Sequence, residues 1–116
     1  MGWGTWLAFC DPRFPSDPYA CHDYCTDELV LGAATALVDH GLRDAGYRTV
    51  MIADCWAAAT RTPLPRQESM QANASRFPRG MAPVVKDLAA LGLRTGLCER
   101  DNPPSSVCFV ASRFAV

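Results

Sequence analysis

Trp6 and Asp54 are the residues whose types and positions suggest chemistry. Trp6 lies in the first segment expected to be a strand, and Asp54 directly follows the second. In parallel α/β sheets, ligands bind at the carboxyl ends of strands. An indole ring packs on the C–H face of a sugar, and a carboxylate accepts hydrogen bonds from two hydroxyls. The pair is typical of a sugar site, although Asp54 alternatively fits a capping acid and nearby Trp56 a core residue.

The cysteine content indicates an oxidising compartment. The 116 residues include 6 cysteines, an even number that suggests disulfides. Cys21 and Cys25 are spaced as zinc ligands can be, but no second ligand pair of matching spacing accompanies them. The sequence therefore favours disulfides over a metal site. Residues 73–75, Asn-Ala-Ser, fit the N-glycosylation sequon, which is consistent with a secreted protein.

Composition and charge exclude several classes of protein. The chain is 49% hydrophobic and 20% charged, which is a globular composition. Its 11 basic and 12 acidic residues leave a formal net charge of -1. The chain therefore lacks the excess of positive charge that would attract nucleic acid or an anionic membrane. No apolar run reaches the ~18 residues of a transmembrane helix. The N-terminus lacks a basic start and a long apolar core, so we expect no signal peptide.

Strand-like and helix-like segments alternate along the chain. The pattern predicts strands over 3–9, 48–53 and 93–98, helices over 27–40 and 81–91, and a long proline-rich connection over 57–79. This order predicts a parallel α/β sheet with helical crossovers. A complete (β/α)₈ barrel, typically ~250 residues, does not fit in this length.

Local signals predict how the two helices begin, end and pack. Thr26 is expected to cap the first helix, and Gly41 to follow its end with positive φ. The apolar face of the first helix is predicted to consist of Leu29, Ala33, Ala36, Leu37 and His40, and that of the second of Met81, Val84, Val85, Leu88 and Leu91. The tail after residue 99 has a turn-rich start and an apolar end with no clear partner.

Four separated segments carry a specific combination of motifs. Residues 1–6 have the sequence MGWGTW, residues 36–47 have ALVDHGLRDAGY, and residues 52–56 have IADCW. In the fourth segment, residues 76–81 have the sequence RFPRGM and residues 92–97 have GLRTGL. In order and spacing these resemble the MGWxxW, ALV…GLKDAGY, IDDCW and RFPxGI…GLKLGIY motifs of the melibiase-type α-galactosidases and α-N-acetylgalactosaminidases, glycoside hydrolase family twenty-seven.

The resemblance implies a (β/α)₈ barrel that releases terminal α-linked galactose with retention of configuration. It extends from residue 1 to about 98, so we expect the first three strands and two helices of a barrel over 1–99 and a divergent tail over 100–116. Trp6 falls on a position that lines the sugar pocket, and Asp54 on one of two acids that bind galactose hydroxyls. The other acid falls on Ala53 and a pocket tyrosine on Cys98, so two sugar contacts are lost.

The resemblance also implies two disulfides. Cys10–Cys55 would tie the first strand to the second beside the pocket, and Cys21–Cys25 would close a short loop. In the loop-entropy model these contribute roughly 4 and 2 kcal/mol. Cys108 resembles a family cysteine whose partner follows the fourth strand, which this chain is not expected to contain.

The catalytic carboxyls of the family lie on later strands. Retaining hydrolysis needs two carboxyls about 5–5.5 Å apart, and in the family these are aspartates at the ends of strands four and six. We therefore expect an N-terminal portion of such an enzyme, inactive alone, with no catalytic residue, metal or cofactor assigned. The alternatives are a non-catalytic carbohydrate-binding or assembly module, or a fragment with no function alone. The resemblance implies an α-galactoside as partner, a secreted or lysosomal location, and a homodimer for the full-length parent.

Overall fold

The computed structural model describes residues 1–5, 25–53, 56–58, 71–101 and 105–111, and for 99–101 and 105–110 the backbone alone. Its elements in chain order are β1 (Gly2–Gly4), α1 (Asp27–Asp39), β2 (Thr49–Ala53), α2 (Met81–Ala90), β3 (Arg94–Asp101) and β4 (Ser105–Val110). Both predicted helices and the two later predicted strands are confirmed to within three residues at their ends. Within the ranges just given, no helix is long and apolar enough to cross a bilayer.

The strands form one sheet in the order β1-β2-β3-β4. β1 pairs with β2 and β2 with β3 in parallel, which confirms the predicted parallel sheet. β1 is shorter than the predicted strand over 3–9, of which residues 6–9 lie outside the described part. β1 lies close against β2 at Gly2, where an added Cβ would be only 3.0 Å from the carbonyl oxygen of Thr49.

β4 corrects our interpretation of the tail. Instead of an apolar end with no clear partner, the tail forms a strand that pairs antiparallel with β3, from Gly96 opposite Val110 to Asp101 opposite Ser105. β3 itself runs past residue 99, where we expected the barrel segment to end. The turn residues followed by an apolar, β-branched run were a hairpin signal. We missed it because the resemblance ends near residue 98, and the residues that follow were interpreted as a divergent tail.

The core lies between the sheet and the two helices. Val50 and Ile52 of β2 and Leu97 of β3 are fully buried. The helix residues that join them in one apolar cluster are Val30, Ala34, Leu37, Met81, Val84, Val85 and Leu88. The alternate residues of β2, such as Met51, are only half-buried. β2 is therefore fully covered on one face, although its continuous apolar run predicted cover on both.

α1 begins and ends as predicted. The Oγ1 of Thr26 accepts a hydrogen bond from the N–H of Leu29 at 3.3 Å, which satisfies one free donor of the first turn. Gly41 follows the C-cap residue His40 with φ +76, a conformation that side chains with a Cβ rarely adopt.

The predicted apolar face of α1 is confirmed at Leu37 and is otherwise displaced by one position. Val30, Ala34 and Leu37 are buried, whereas Leu29 is 44% exposed and Ala36 is exposed. Two apolar rows run side by side along this alanine-rich helix, so periodicity alone does not choose between them. Packing against the sheet selects the row with the β-branched Val30.

The buried face of α2 consists of the apolar residues that its spacing predicted. Met81, Val84, Val85 and Leu88 are buried, and Leu91 packs half-buried against them.

An ion network joins the starts of the two helices. Arg79 forms salt bridges with Asp87 at 3.0 Å and with Asp27 at 3.2 Å. The hydrogen bonds that Arg79 donates to the carboxylates of Asp87 and then Asp27 raise the pKa of Arg79. These exposed pairs orient the helix starts more than they stabilise them.

A side-chain hydrogen bond extends the pairing of β1 with β2. The N–H of Ala53, the last residue of β2, donates to the Oγ1 of Thr5 at 3.0 Å. Thr5 is 2% exposed. Because water cannot replace this acceptor at a buried position, the bond fixes the carboxyl ends of the two strands relative to each other.

Replacing Thr5 with valine is expected to lower the free energy of unfolding by about 1–3 kcal/mol, because the N–H of Ala53 would lose its acceptor while the shape is kept. Thr5→Ser retains the hydroxyl and is the matched control. Urea denaturation followed by tryptophan fluorescence measures both. A valine variant as stable as the serine variant would contradict the role of this bond.

Cys98 and Cys108 are expected to form a disulfide across β3 and β4. Cys98 is disulfide-bonded, and the antiparallel register places Cys108 directly opposite it. Directly opposite residues of an antiparallel pair have Cβ atoms about 4.5–5.5 Å apart, and the lower end of this range meets the ~3.5–4.5 Å that a disulfide needs.

Tryptic cleavage after Arg94, Arg100 and Arg113 puts the two cysteines on separate peptides. An unreduced digest should contain peptides 95–100 and 101–113 as one mass that separates on reduction. Finding peptide 95–100 joined to any other cysteine-containing peptide would show the expectation to be wrong.

Candidate functional site

The carboxyl ends of β1, β2 and β3 define the candidate site. β1 ends at Gly4 and β2 at Ala53, and Ala53 is the register partner of Cys98 on β3. The predicted sugar-binding residues Trp6 and Asp54 lie outside the described residues. Trp6 directly follows Thr5 in the chain, and Asp54 directly follows Ala53. Thr5 and Ala53 are joined by the hydrogen bond between the Ala53 N–H and the Thr5 hydroxyl.

The site face of the sheet, opposite the helix-packed face, carries small residues and one methionine. Gly4, Met51 and Gly96 are register partners and form one row across three strands. A Cβ on Gly96 would lie 2.6 Å from the Sδ of Met51, so the Met51 side chain lies over this glycine. The row is therefore filled by one flexible apolar side chain.

Ala53 and Cys98 form the next row toward the carboxyl ends. The Sγ of Cys98 lies 3.2 Å from the Sδ of Met51. Because Cys98 is disulfide-bonded, it has no S–H to donate, so this is a close sulfur–sulfur contact rather than a hydrogen bond. Alanine and a disulfide sulfur offer neither a carboxylate nor an aromatic face to a ligand. These are the two positions where the resemblance implied an acid and a tyrosine.

Trp56 is a core residue, which is the alternative that we had kept open for it. Its side chain is fully buried, and its Nε1–H donates to the carbonyl oxygen of Cys98 at 3.2 Å. The carbonyl oxygen of Trp56 accepts from the N–H of Asn73 at 2.7 Å. Ala57 forms a bridge with Ala72. Trp56 therefore fixes the chain that leaves β2 against the end of β3.

The predicted disulfide cysteines lie mostly outside the described residues. This holds for Cys10, Cys55 and Cys21, so the pairings Cys10–Cys55 and Cys21–Cys25 stay predictions. Cys25 is described, fully buried and disulfide-bonded. A sulfur held in a disulfide is not a thiolate, so Cys25 does not serve as the zinc ligand that its spacing from Cys21 allowed. Among the described side chains, no three His, Cys, Asp or Glu residues lie together as a metal site would require.

Sequence reasoning missed Thr5 and the carbonyl oxygen of Cys98. Thr5 lies between glycine and tryptophan in a motif that drew attention to its tryptophans. No sequence pattern marks a threonine hydroxyl that accepts from a strand 48 residues away. A backbone carbonyl carries no sequence signal at all. Both contributions position the site, and neither supplies a reacting group.

Comparison with known proteins agrees with this geometry. A family model described as alpha galactosidase A matches residues 1–109. Alpha-galactosidase A of Homo sapiens is 33% identical over 98 residues, which are 84% of this chain and 21% of that protein. The crystal structure of alpha-galactosidase I from Mortierella vinacea matches with a TM-score of 0.63 and 36% identity, over 84% of this chain and 21% of that one.

A structure of alfa-galactosidase from Saccharomyces cerevisiae with raffinose matches with a TM-score of 0.61 and 26% identity, over 84% of this chain and 18% of that one. The chain thus spans about a fifth of the length of the relatives that it matches. Its three parallel strands and two connecting helices are part of the (β/α)₈ barrel fold, as predicted. The match covers nearly the whole chain, and we conclude that the chain belongs to the alpha galactosidase A family.

Proposed function

We propose that the chain supplies part of a binding site for terminal α-linked galactose, with Trp6 and Asp54 as the residues that contact the sugar. In a full-length barrel, this site would serve hydrolysis by a retaining double displacement. The family match over residues 1–109 carries the proposal. The raffinose that accompanies the Saccharomyces cerevisiae relative supports an α-galactoside as the substrate class.

The hydrogen bond between Ala53 and Thr5 supports the pairing of these two residues in one site. Because it joins the residues that immediately precede Asp54 and Trp6, a stacking ring and a hydroxyl-binding acid would start from neighbouring points of the sheet. This is the arrangement that a hexose needs, with one apolar face covered and hydroxyls bound at the rim.

The row formed by Ala53 and Cys98 predicts weak binding. Relative to the family pattern, it lacks one carboxylate and one aromatic ring. A hydrogen bond to a charged acceptor contributes about 1.5–3 kcal/mol. Each lost contact of this kind therefore weakens binding by roughly 10- to 150-fold.

The chain alone is proposed to be inactive as a glycosidase. A retaining enzyme needs a nucleophile and an acid/base about 5–5.5 Å apart, on opposite sides of the glycosidic bond. The carboxyl groups that the sequence offers near these strand ends are those of Asp54, Glu99 and Asp101, whose side chains lie outside the described part. Since they would come from neighbouring strands, we expect them on one side of the pocket rather than on both sides of the scissile bond. The family supplies both acids from strands four and six.

A non-catalytic galactoside-binding module is the second candidate, and β4 favours it. In a (β/α)₈ barrel, the outer edge of the third strand pairs with a parallel fourth strand. Here β4 takes that edge in the antiparallel direction. A sheet ended in this way supports a small binding unit rather than the opening segment of a barrel still to be closed.

The disulfide state of Cys25 and Cys98 supports a secreted or lysosomal location. Disulfides persist in oxidising compartments and are rare in the cytosol. A homodimer of the full-length protein, which the resemblance implied, stays a prediction. Light scattering of that protein would measure its mass.

Galactose binding tests the site itself. We expect the wild-type chain to bind galactose in the millimolar range, Asp54→Ala to abolish binding, and Ala53→Asp to tighten it by about tenfold or more, because a second acceptor is restored. A nuclear magnetic resonance titration measures all three, with glucose as the control sugar. Unchanged affinity in Asp54→Ala would refute the assignment of that residue.

Turnover of an aryl α-galactoside distinguishes an enzyme from a binding module. We expect no hydrolysis by the purified 116-residue chain above the buffer rate, because the two catalytic acids lie on later strands in the family. A full-length relative assayed in parallel is the positive control. Turnover that disappears in Asp54→Ala would overturn the proposal that the chain alone is inactive.

A further inference from the structure

The segment that leads from Trp56 to α2 carries an acceptor sequence that the sugar site does not use. Residues 73–75 read Asn-Ala-Ser, which fits the sequon for N-linked glycosylation. The only other asparagine, Asn102, precedes a proline and does not fit. We propose that Asn73 is an N-glycosylation site and carries an oligosaccharide on its Nδ2 atom.

The side chain of Asn73 is held in place through its oxygen. Its Oδ1 accepts a hydrogen bond from the N–H of Ser75 at 3.0 Å and a second from the N–H of Arg76 at 3.3 Å. The first bond closes an Asx turn across the sequon itself. Because the turn uses only residues 73–76, it can form locally, before the rest of the chain folds.

The side-chain amide nitrogen of Asn73, Nδ2, is the atom to which a glycan would be attached. Within the described part of the chain, Nδ2 donates no hydrogen bond, and Asn73 is half-buried rather than enclosed. Ala74 and Ser75 are exposed. A substituent on Nδ2 would therefore lie next to solvent-exposed residues and would leave both hydrogen bonds to Oδ1 intact.

The backbone of Asn73 forms a rigid base for such a substituent. Its N–H donates to the carbonyl oxygen of Trp56 at 2.7 Å, and its carbonyl oxygen accepts from the N–H of Phe77 at 2.8 Å. Trp56 and Phe77 are both buried in the core. The oligosaccharide would start from a fixed point of the molecule, just beyond the carboxyl end of β2.

The disulfides provide an independent observation on the compartment. Cys25 and Cys98 are disulfide-bonded, and the oxidising compartments in which disulfides persist include the one in which N-glycosylation takes place. In the transfer, a bond forms between Nδ2 of Asn73 and the anomeric carbon of a lipid-pyrophosphate-linked oligosaccharide. The bond from that carbon to the pyrophosphate oxygen breaks, the lipid pyrophosphate leaves with the electron pair, and the amide loses one proton.

The test is expression of the whole chain in eukaryotic cells behind a cleavable secretory leader, with a tag sequon at the C-terminus as the control for translocation. Total cell protein is analysed, so that folding and secretion do not decide the outcome. Wild type should carry one glycan more than the tag alone accounts for. Peptide N-glycosidase in heavy-oxygen water should convert Asn73 in tryptic peptide 67–76 to labelled aspartate.

Two variants separate the modification from the turn. Asn73→Asp keeps an oxygen acceptor for the N–H groups of Ser75 and Arg76 but has no amide to modify. Ser75→Ala keeps Asn73 and the backbone turn but lacks the hydroxyl that the sequon requires. Both should lose one glycan, and Ser75→Thr should retain it. A tag-glycosylated wild type with unmodified Asn73, or a glycan on peptide 67–76 that persists in Ser75→Ala, would overturn the proposal.

Discussion

The parallel pairing of three strands is the constraint on which the candidate site depends. A parallel register brings the carboxyl ends of β1, β2 and β3 to one edge, because the backbone hydrogen bonds fix the relative offset of the strands. The Thr5 hydroxyl adds an acceptor for Ala53 where β1 has already ended. Two segments far apart in the chain therefore enter the site from adjacent positions, which a sugar-binding ring and acid both require.

Patterns that depend on local geometry could be predicted from the sequence. The cap at Thr26 and the positive φ of Gly41 follow from the chemistry of hydroxyls and the absence of a Cβ, and both are confirmed. The apolar face of α2 follows from one clear periodic row. The face of α1 could not be predicted in the same way, because its two apolar rows differ only in how they fit the sheet.

Features that depend on how strands pair were predicted less completely. β4 forms because the edge of β3 has unpaired backbone groups and an extended segment begins four residues after β3 ends. Because the family motifs end near residue 98, the segment after it was expected to be a divergent tail and no strand was assigned to it. The hydrogen bond from Trp56 to the carbonyl oxygen of Cys98 likewise depends on the two strands already being neighbours.

The site face suggests how a family scaffold can lose part of its ligand contacts and keep its shape. Met51 covers Gly96 and touches the sulfur of Cys98, so the row below the candidate site is filled without any residue that binds sugar. The sheet does not need the missing acid and tyrosine for stability. Cys98 itself contributes to the stability of this face, because it is disulfide-bonded.

The hairpin of β3 and β4 has a consequence for synthesis on the ribosome. Residues emerge at about 5–20 per second, whereas a β-hairpin closes in about 1–10 μs. In any longer protein that contains this segment, the hairpin would be complete before a later strand leaves the exit tunnel. A parallel fourth strand could then join β3 only by strand displacement, and the lifetime of the hairpin would set the rate at which the cylinder closes.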